Sequence, residues 1–150
     1  MKKLLIFLTV TGSLFAGLSV GQPFPKTPFQ DQFEKRHTVP DEERIVIVSF
    51  EREVSDAVNA FLGKQPKDFL AKHRATYIAD ISAMPTIIST LFALPKMRDY
   101  RYPILLNRDE AFKKKYDNKE GKLTIYRLED GKIVSVNFID TETLPAFFAE

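Results

Sequence analysis

The sequence predicts an α/β fold in which a buried central strand runs directly into an amphipathic helix, and three observations carry that prediction. First, Ile45, Val46, Ile47 and Val48 form an uninterrupted β-branched run. A half-exposed strand alternates apolar with polar residues, so this run predicts a strand covered on both faces, at the centre of a sheet. Second, the period changes after Glu51-Arg52-Glu53: Val54, Ala57, Val58, Phe61 and Leu62 fall at i, i+3, i+4, i+7 and i+8, the spacing of one apolar helical stripe. Gly63 then offers a C′ stop. Third, Asp130-Gly131 separates two apolar runs, residues 122–128 and 132–139, which is a strong short-range signal for a β-hairpin.

Taken from the start, Met1-Lys2-Lys3 precedes an apolar stretch from Leu4 to about Leu18 and small residues at Ser19 and Gly21. This pattern predicts a secretory signal over residues 1–21, cut near Gly21–Gln22. The alternative is a retained membrane anchor, because residues 4–25 carry no charge, although Thr9, Thr11, Gly12 and Ser13 dilute the stretch. Residues 22–43 contain Pro23, Pro25, Pro28 and Pro40 with Phe24, Phe29 and Phe33, and read as an extended, irregular lead-in. The folded domain is expected over residues 44–150.

Beyond the opening strand and helix, Pro66 can start a short helix through Lys72, with Phe69 and Leu70 as its apolar side. Residues 76–81 read as a second strand. Residues 84–94 carry Ile87, Ile88, Leu91 and Leu94 at helical spacing, which predicts a helix packed on the sheet, with Pro95 ending or kinking it. Tyr102 to Leu106 reads as a strand opened by Pro103. Residues 109–116 fit a brief helix with Phe112 and Tyr116 as its inward pair. In the hairpin's second strand Val134, Val136 and Phe138 alternate with Ser135 and Asn137. Residues 141–150 close the domain as a short helix.

Composition narrows the function. The chain of 150 residues has 22 basic and 20 acidic residues. Lys2 and Lys3 lie in the predicted leader, so about 129 mature residues carry no net charge and give no electrostatic reason to expect nucleic acid. There is no cysteine, which removes disulfides, thiol catalysis and thiolate metal sites. His37 and His73 sit in no recognisable motif and read as solvated. No His-x-His, His-x-x-x-His or Asp-rich loop predicts a metal, and nothing in the chain predicts a cofactor. Lys113-Lys114-Lys115 reads as a wet helix face.

The order strand-helix-strand-helix-strand, then hairpin and final helix, resembles the thioredoxin-like superfamily, and within it the peroxiredoxin and redoxin branch. Three stretches carry the resemblance. Residues 20–25 with Asp31-Gln32-Phe33-Glu34-Lys35 are similar to that branch's lead-in, IVIVSF to its first core strand, and RYPILLNRDEAFKKKY with LTIYRLEDGKIVSV to its later half. The resemblance implies a three-layer sandwich: a central mixed sheet with a C-terminal hairpin and helices on both faces. It also implies that a catalytic cysteine should follow the first core strand, where this chain has Glu51-Arg52-Glu53-Val54-Ser55. By the same analogy Pro103 corresponds to the family's cis-proline, with Tyr102 before it.

No catalytic residue is therefore assigned. The candidate contact residues for a ligand or partner are Glu51, Arg52, Glu53, Ser55, Asp80, Tyr102 and Pro103, at the carboxyl ends of the strands where open α/β folds place their sites. Arg52 beside a helix N-terminus could take a carboxylate or phosphate, or simply pair with the glutamates around it. Glu51 or Glu53 with Asp80 could form an acid/base pair. Ser55 as a nucleophile would need a base beside it. The sequence thus points to an exported, cysteine-free binding or accessory module of the cell envelope, periplasmic or secreted, which contacts an unknown envelope protein or small ligand and meets membrane only through an uncleaved leader. The alternative is a non-redox enzyme, such as a hydrolase, using the carboxylates and Arg52.

Overall fold

In the computed structural model, which describes residues 17–149, a single mixed sheet of seven strands organises the chain. The predicted leader falls largely on residues 1–16, outside the described residues. In chain order the elements are β1 (Phe29–Asp31), β2 (Arg36–His37), β3 (Ile45–Ser49), α1 (Arg52–Gly63), α2 (Phe69–Lys72), β4 (Ala75–Asp80), α3 (Thr86–Ile88), a π turn (Ser89–Ala93), α4 (Leu94–Arg98), β5 (Leu105–Asn107), α5 (Phe112–Lys115), β6 (Leu123–Glu129), β7 (Lys132–Ile139), a 3₁₀ turn (Thr141–Thr143) and α6 (Leu144–Ala149). The strand order is β2-β1-β5-β4-β3-β6-β7.

The β-branched run sits where its composition requires. β3 pairs in parallel with β4 on one side and antiparallel with β6 on the other. Because successive strand residues point to opposite faces, Ile47 enters the core under α1 while Val46 and Val48 enter the core on the opposite face, and all three are fully buried. Each such side chain contributes roughly 1.5–3 kcal/mol of burial free energy.

The first core collects Val54, Val58 and Leu62 from α1, Leu70 from α2, Leu94 and Met97 from α4 and Leu144 from α6. The second collects Phe24 and Phe29 from the lead-in with Phe112 and Tyr116 around α5. Helices thus cover both faces, which gives the three layers. Among the described residues no helix is long and apolar enough to cross a membrane.

The Asp130-Gly131 hairpin forms as its residues dictate: both have positive φ, 50° and 78°, the twist that a two-residue turn needs to match its strands. Gly63 is the last residue of α1, with Lys64 as the cap in right-handed geometry, and so is no left-handed stop. Pro103 lies outside β5, which starts at Leu105. His73 is not simply solvated: its ring packs 4.3 Å from Phe69 and 5.0 Å from Phe148, centroid to centroid.

The lead-in forms β1 and β2, which extend the sheet beyond β5. Asp31 builds their turn. Its carboxylate accepts the N–H groups of Phe33 and Lys35 at 2.8 and 3.0 Å and contacts His37 Nε2 at 2.7 Å. Burial alone would raise the Asp31 pKa, but these hydrogen bonds outweigh it and hold the carboxyl below its ordinary value.

The largest departure from the sequence pattern is the segment between β4 and β5. Ile87, Ile88, Leu91 and Phe92 are exposed, at 69, 44, 62 and 66 %, and the buried side consists of Ser89, Leu94 and Met97. Pro95 supplies the reason. It offers no N–H to the preceding turn and its ring crowds the carbonyl four residues back, so the chain widens into the π turn instead of ending. One extra residue in a turn rotates the preceding stripe by about 100°. Ser89 turns inward, and the isoleucines and Leu91 turn to solvent.

Candidate functional site

The corner after β3 is built by the change from strand to helix. Glu51 is the extended residue before α1, and its Oε1 accepts the Gly121 N–H at 2.7 Å, tying the corner to the loop before β6. Glu53 lies in the first turn, where a negative charge complements the helix dipole. Arg52 Nε stands 3.8 Å from Asp56 Oδ2 one turn on, and its side chain is 88 % exposed. Such a pair contributes a few tenths of a kcal/mol at most.

Ser55 is the polar residue of the corner that turns inward, beside the buried Val54. Its hydroxyl shares a 2.7 Å hydrogen bond with Ser49 Oγ, which in turn meets Tyr77 Oη at 3.0 Å. Tyr102 approaches the same helix one turn further along: its hydroxyl donates to Asn59 Oδ1 at 2.8 Å, and its ring stacks on Tyr100 with centroids 5.1 Å apart. The underside of α1 is therefore bonded to β3 through Ser55 and to Tyr102 through Asn59. Asp80 goes elsewhere, accepting the Ser82 N–H at 3.0 Å and Asn107 Nδ2 at 2.9 Å, which clips the exits of β4 and β5 together. No hydrogen bond or ion pair among the described residues joins Asp80 to Glu51, Arg52 or Glu53.

Pro103 is exposed, while Tyr102 and Ile104 on either side are buried. The Tyr102-Pro103 bond is trans, as are all peptide bonds among the described residues, in contrast to the cis-proline that the resemblance implies. The flanking backbone is held by Gln32, which is 1 % exposed: its Nε2 donates to the Tyr102 carbonyl at 2.9 Å and its Oε1 accepts the Ile104 N–H at 3.1 Å. Gln32 was legible only as part of a lead-in motif. A glutamine in a polar loop carries no signal that it will be buried until β1 is placed against β5.

The hydroxyls beneath α1 are suited to hydrogen bonding and not to proton abstraction. Burial pushes the Tyr77 phenol up to about 12, against partial relief from Ser49 and Ser55, and burial likewise raises Tyr102 and Tyr100. A tyrosine acting as base or nucleophile needs the opposite shift. Among the described residues no basic side chain is hydrogen-bonded to Ser55, and His37 and His73 bond instead to Asp31 and to the Phe69 carbonyl. Among the described residues no group of three or more His, Asp or Glu side chains is placed to hold a metal ion.

Tyr77 gives a pH dependence whose sign is fixed. Its folded pKa is above the unfolded value near 10, so its contribution is complete below pH 10 and is lost as pH rises toward 12. Urea unfolding between pH 8 and 12 should show stability declining from about pH 10, and Tyr77→Phe should flatten part of that decline while costing about 1 kcal/mol at pH 7 through the lost Ser49 bond. An unchanged alkaline slope in that variant would contradict the assignment.

No protein-family model matches the sequence, and no curated protein matches it either. Similarity appears at the level of solved structures. Peroxidoxin BcpB from Mycobacterium tuberculosis superposes with a TM-score of 0.56 at 14 % identity, over 86 % of this chain and 92 % of that one. The bacterioferritin comigratory protein of Xanthomonas campestris gives 0.56 at 12 %, over 82 % and 88 %. A thio-disulfide isomerase from Thermus thermophilus gives 0.50 at 14 %, over 88 % and 96 %. The fold of this chain is thus thioredoxin-like, that of the peroxiredoxins and thiol-disulfide isomerases, on a sequence with no cysteine.

Proposed function

We propose that this chain is a non-redox binding or accessory module of the cell envelope. One observation carries the reading: the β3–α1 corner, where the resemblance expects a reactive cysteine, holds Glu51-Arg52-Glu53-Val54-Ser55, and its inward hydroxyl is tied to Ser49 with no base beside it. Export rests on the leader pattern of residues 1–21. Separation of Asp80 from Glu51 and Glu53 favours binding over carboxylate catalysis. Arg52 and Glu53, both exposed at the start of α1, are the charges a partner would read.

Two measurements test this. Purified protein should show no peroxide reduction and no disulfide exchange above the uncatalysed rate. An envelope protein captured by the chain and then purified should bind it directly, with affinity reduced tenfold or more by the paired charge reversals Arg52→Glu and Glu53→Lys, which leave the core untouched. Turnover of a peroxide, or of an ester or amide substrate in a manner abolished by Glu53→Gln, would overturn the reading.

A further inference from the structure

On the face of the sheet opposite α1, a cavity of ≈270 Å³ opens between β1, the end of β5 and α5. Phe29 and Phe112 form part of its wall, 3 % and 2 % exposed, their rings edge to face with centroids 5.9 Å apart. Tyr116, stacked on Phe112 at 4.1 Å, is 4 % exposed and lines the same cavity. Its hydroxyl is buried without a hydrogen-bond partner among the described residues. Burial raises the Tyr116 pKa, and Thr27, also in the lining, is near enough to offset part of that rise although its hydroxyl does not come within hydrogen-bonding geometry. Native structures rarely leave such a group unpaired, since a buried donor with no acceptor forfeits its hydration for nothing.

The lining carries three cations, Arg36 from β2, Arg108 just after β5 and Lys115 from α5, and one carboxylate, Asp109. Lys115 stands 3.6 Å from Asp109, whereas neither Arg36 nor Arg108 has a carboxylate partner among the described residues; Arg108 reaches only the Ser89 hydroxyl, at 3.0 Å. Arg36, with no carboxylate partner among the described residues, and Arg108, held there only by the Ser89 hydroxyl, line the same cavity as the aromatic rings and the unpaired Tyr116 hydroxyl, so the lining offers cationic charge, apolar surface and a hydrogen-bonding group together.

We infer that this cavity binds a small organic monocarboxylate, with the carboxylate held between Arg36 and Arg108, the apolar body against Phe29 and Phe112, and a hydroxyl or carbonyl at its far end meeting Tyr116. The volume is just below the roughly 300–1,000 Å³ typical of ligand pockets, so one ring or a short chain fills it. A guanidinium pair matches the planar oxygens of a carboxylate. The site is on the other face of the sheet from the β3–α1 corner, so it stands or falls independently of the partner contact proposed there.

The test is an amide NMR titration of the full chain with benzoate, 4-hydroxybenzoate and inorganic phosphate. Benzoate and 4-hydroxybenzoate should shift residues 27–30, 106–109 and 112–116 saturably, with 4-hydroxybenzoate about fivefold tighter. The double variant Arg36→Ala, Arg108→Ala should weaken both at least tenfold. Tyr116→Phe, which keeps the ring and the fold, should abolish the preference for 4-hydroxybenzoate while leaving benzoate unchanged. Binding of inorganic phosphate as tight as benzoate, saturable shifts that ignore the arginines, or no saturable shift with either carboxylate would overturn the proposal.

Discussion

Gln32→Ala is expected to lower stability by about 3 kcal/mol. Gln32 is 1 % exposed and satisfies the Tyr102 carbonyl and the Ile104 N–H at once, on either side of a proline that has no N–H of its own. Truncation leaves both backbone groups buried and unpaired, at about 1–3 kcal/mol apiece with partial relief by entering water, and opens a small void. Gln32→Glu separates these contributions. It keeps the acceptor for Ile104 but sets a carboxylate against the Tyr102 carbonyl, so its penalty should be larger at pH 7 than at pH 3, where the acid is protonated and can donate. Urea denaturation at the two pH values reads both. A loss below about 1 kcal/mol for Gln32→Ala would mean that the Tyr102-Pro103 segment is held by something other than this side chain.

Ile47→Ala should cost about 4 kcal/mol, while Ile87→Ala should change stability by less than about 0.5 kcal/mol. The two residues are chemically identical. Ile47 is fully buried in the central strand, in the core that α1 covers, and its removal leaves a cavity that flanking strands paired on both sides cannot collapse into. Ile87 is 69 % exposed on the outer side of α3. Thermal or urea unfolding of both variants checks the contrast. Equal losses would show that the helical stripe packs as its spacing first suggests, without the rotation produced by the π turn.

That pair also marks how far the sequence could be read. The β3 run, the α1 stripe, the Phe112–Tyr116 pair and the Asp130-Gly131 turn were legible because each rests on local chemistry: side-chain branching, a 3.6-residue period, or tolerance of positive φ. The stripe at Ile87, Ile88, Leu91 and Leu94 fits the same period, yet only Leu94 is buried. A period fixes which residues share a face, but it assumes an unbroken helix, and one inserted residue before Pro95 changes the phase. β1 and β2 were hidden for another reason. They are three and two residues long, too short to show alternation, and exist because β5 offers an edge to pair with.

The candidate site divides along the same line. That the corner after β3 bears charges and no thiol was settled by composition. Which of those residues meet was not: Ser55, within α1, turns to Ser49, Tyr102 bonds Asn59 of the same helix, Glu51 turns to Gly121, and Asp80 is claimed by Asn107. By itself the sequence determined the thiol-free chemistry, the central strand and the α/β order, since these follow from residue types and near-neighbour spacing. Tertiary structure alone decided the burial of Gln32 and the cavity lined by Arg36 and Arg108, because each depends on groups far apart in the chain whose meeting no local pattern encodes.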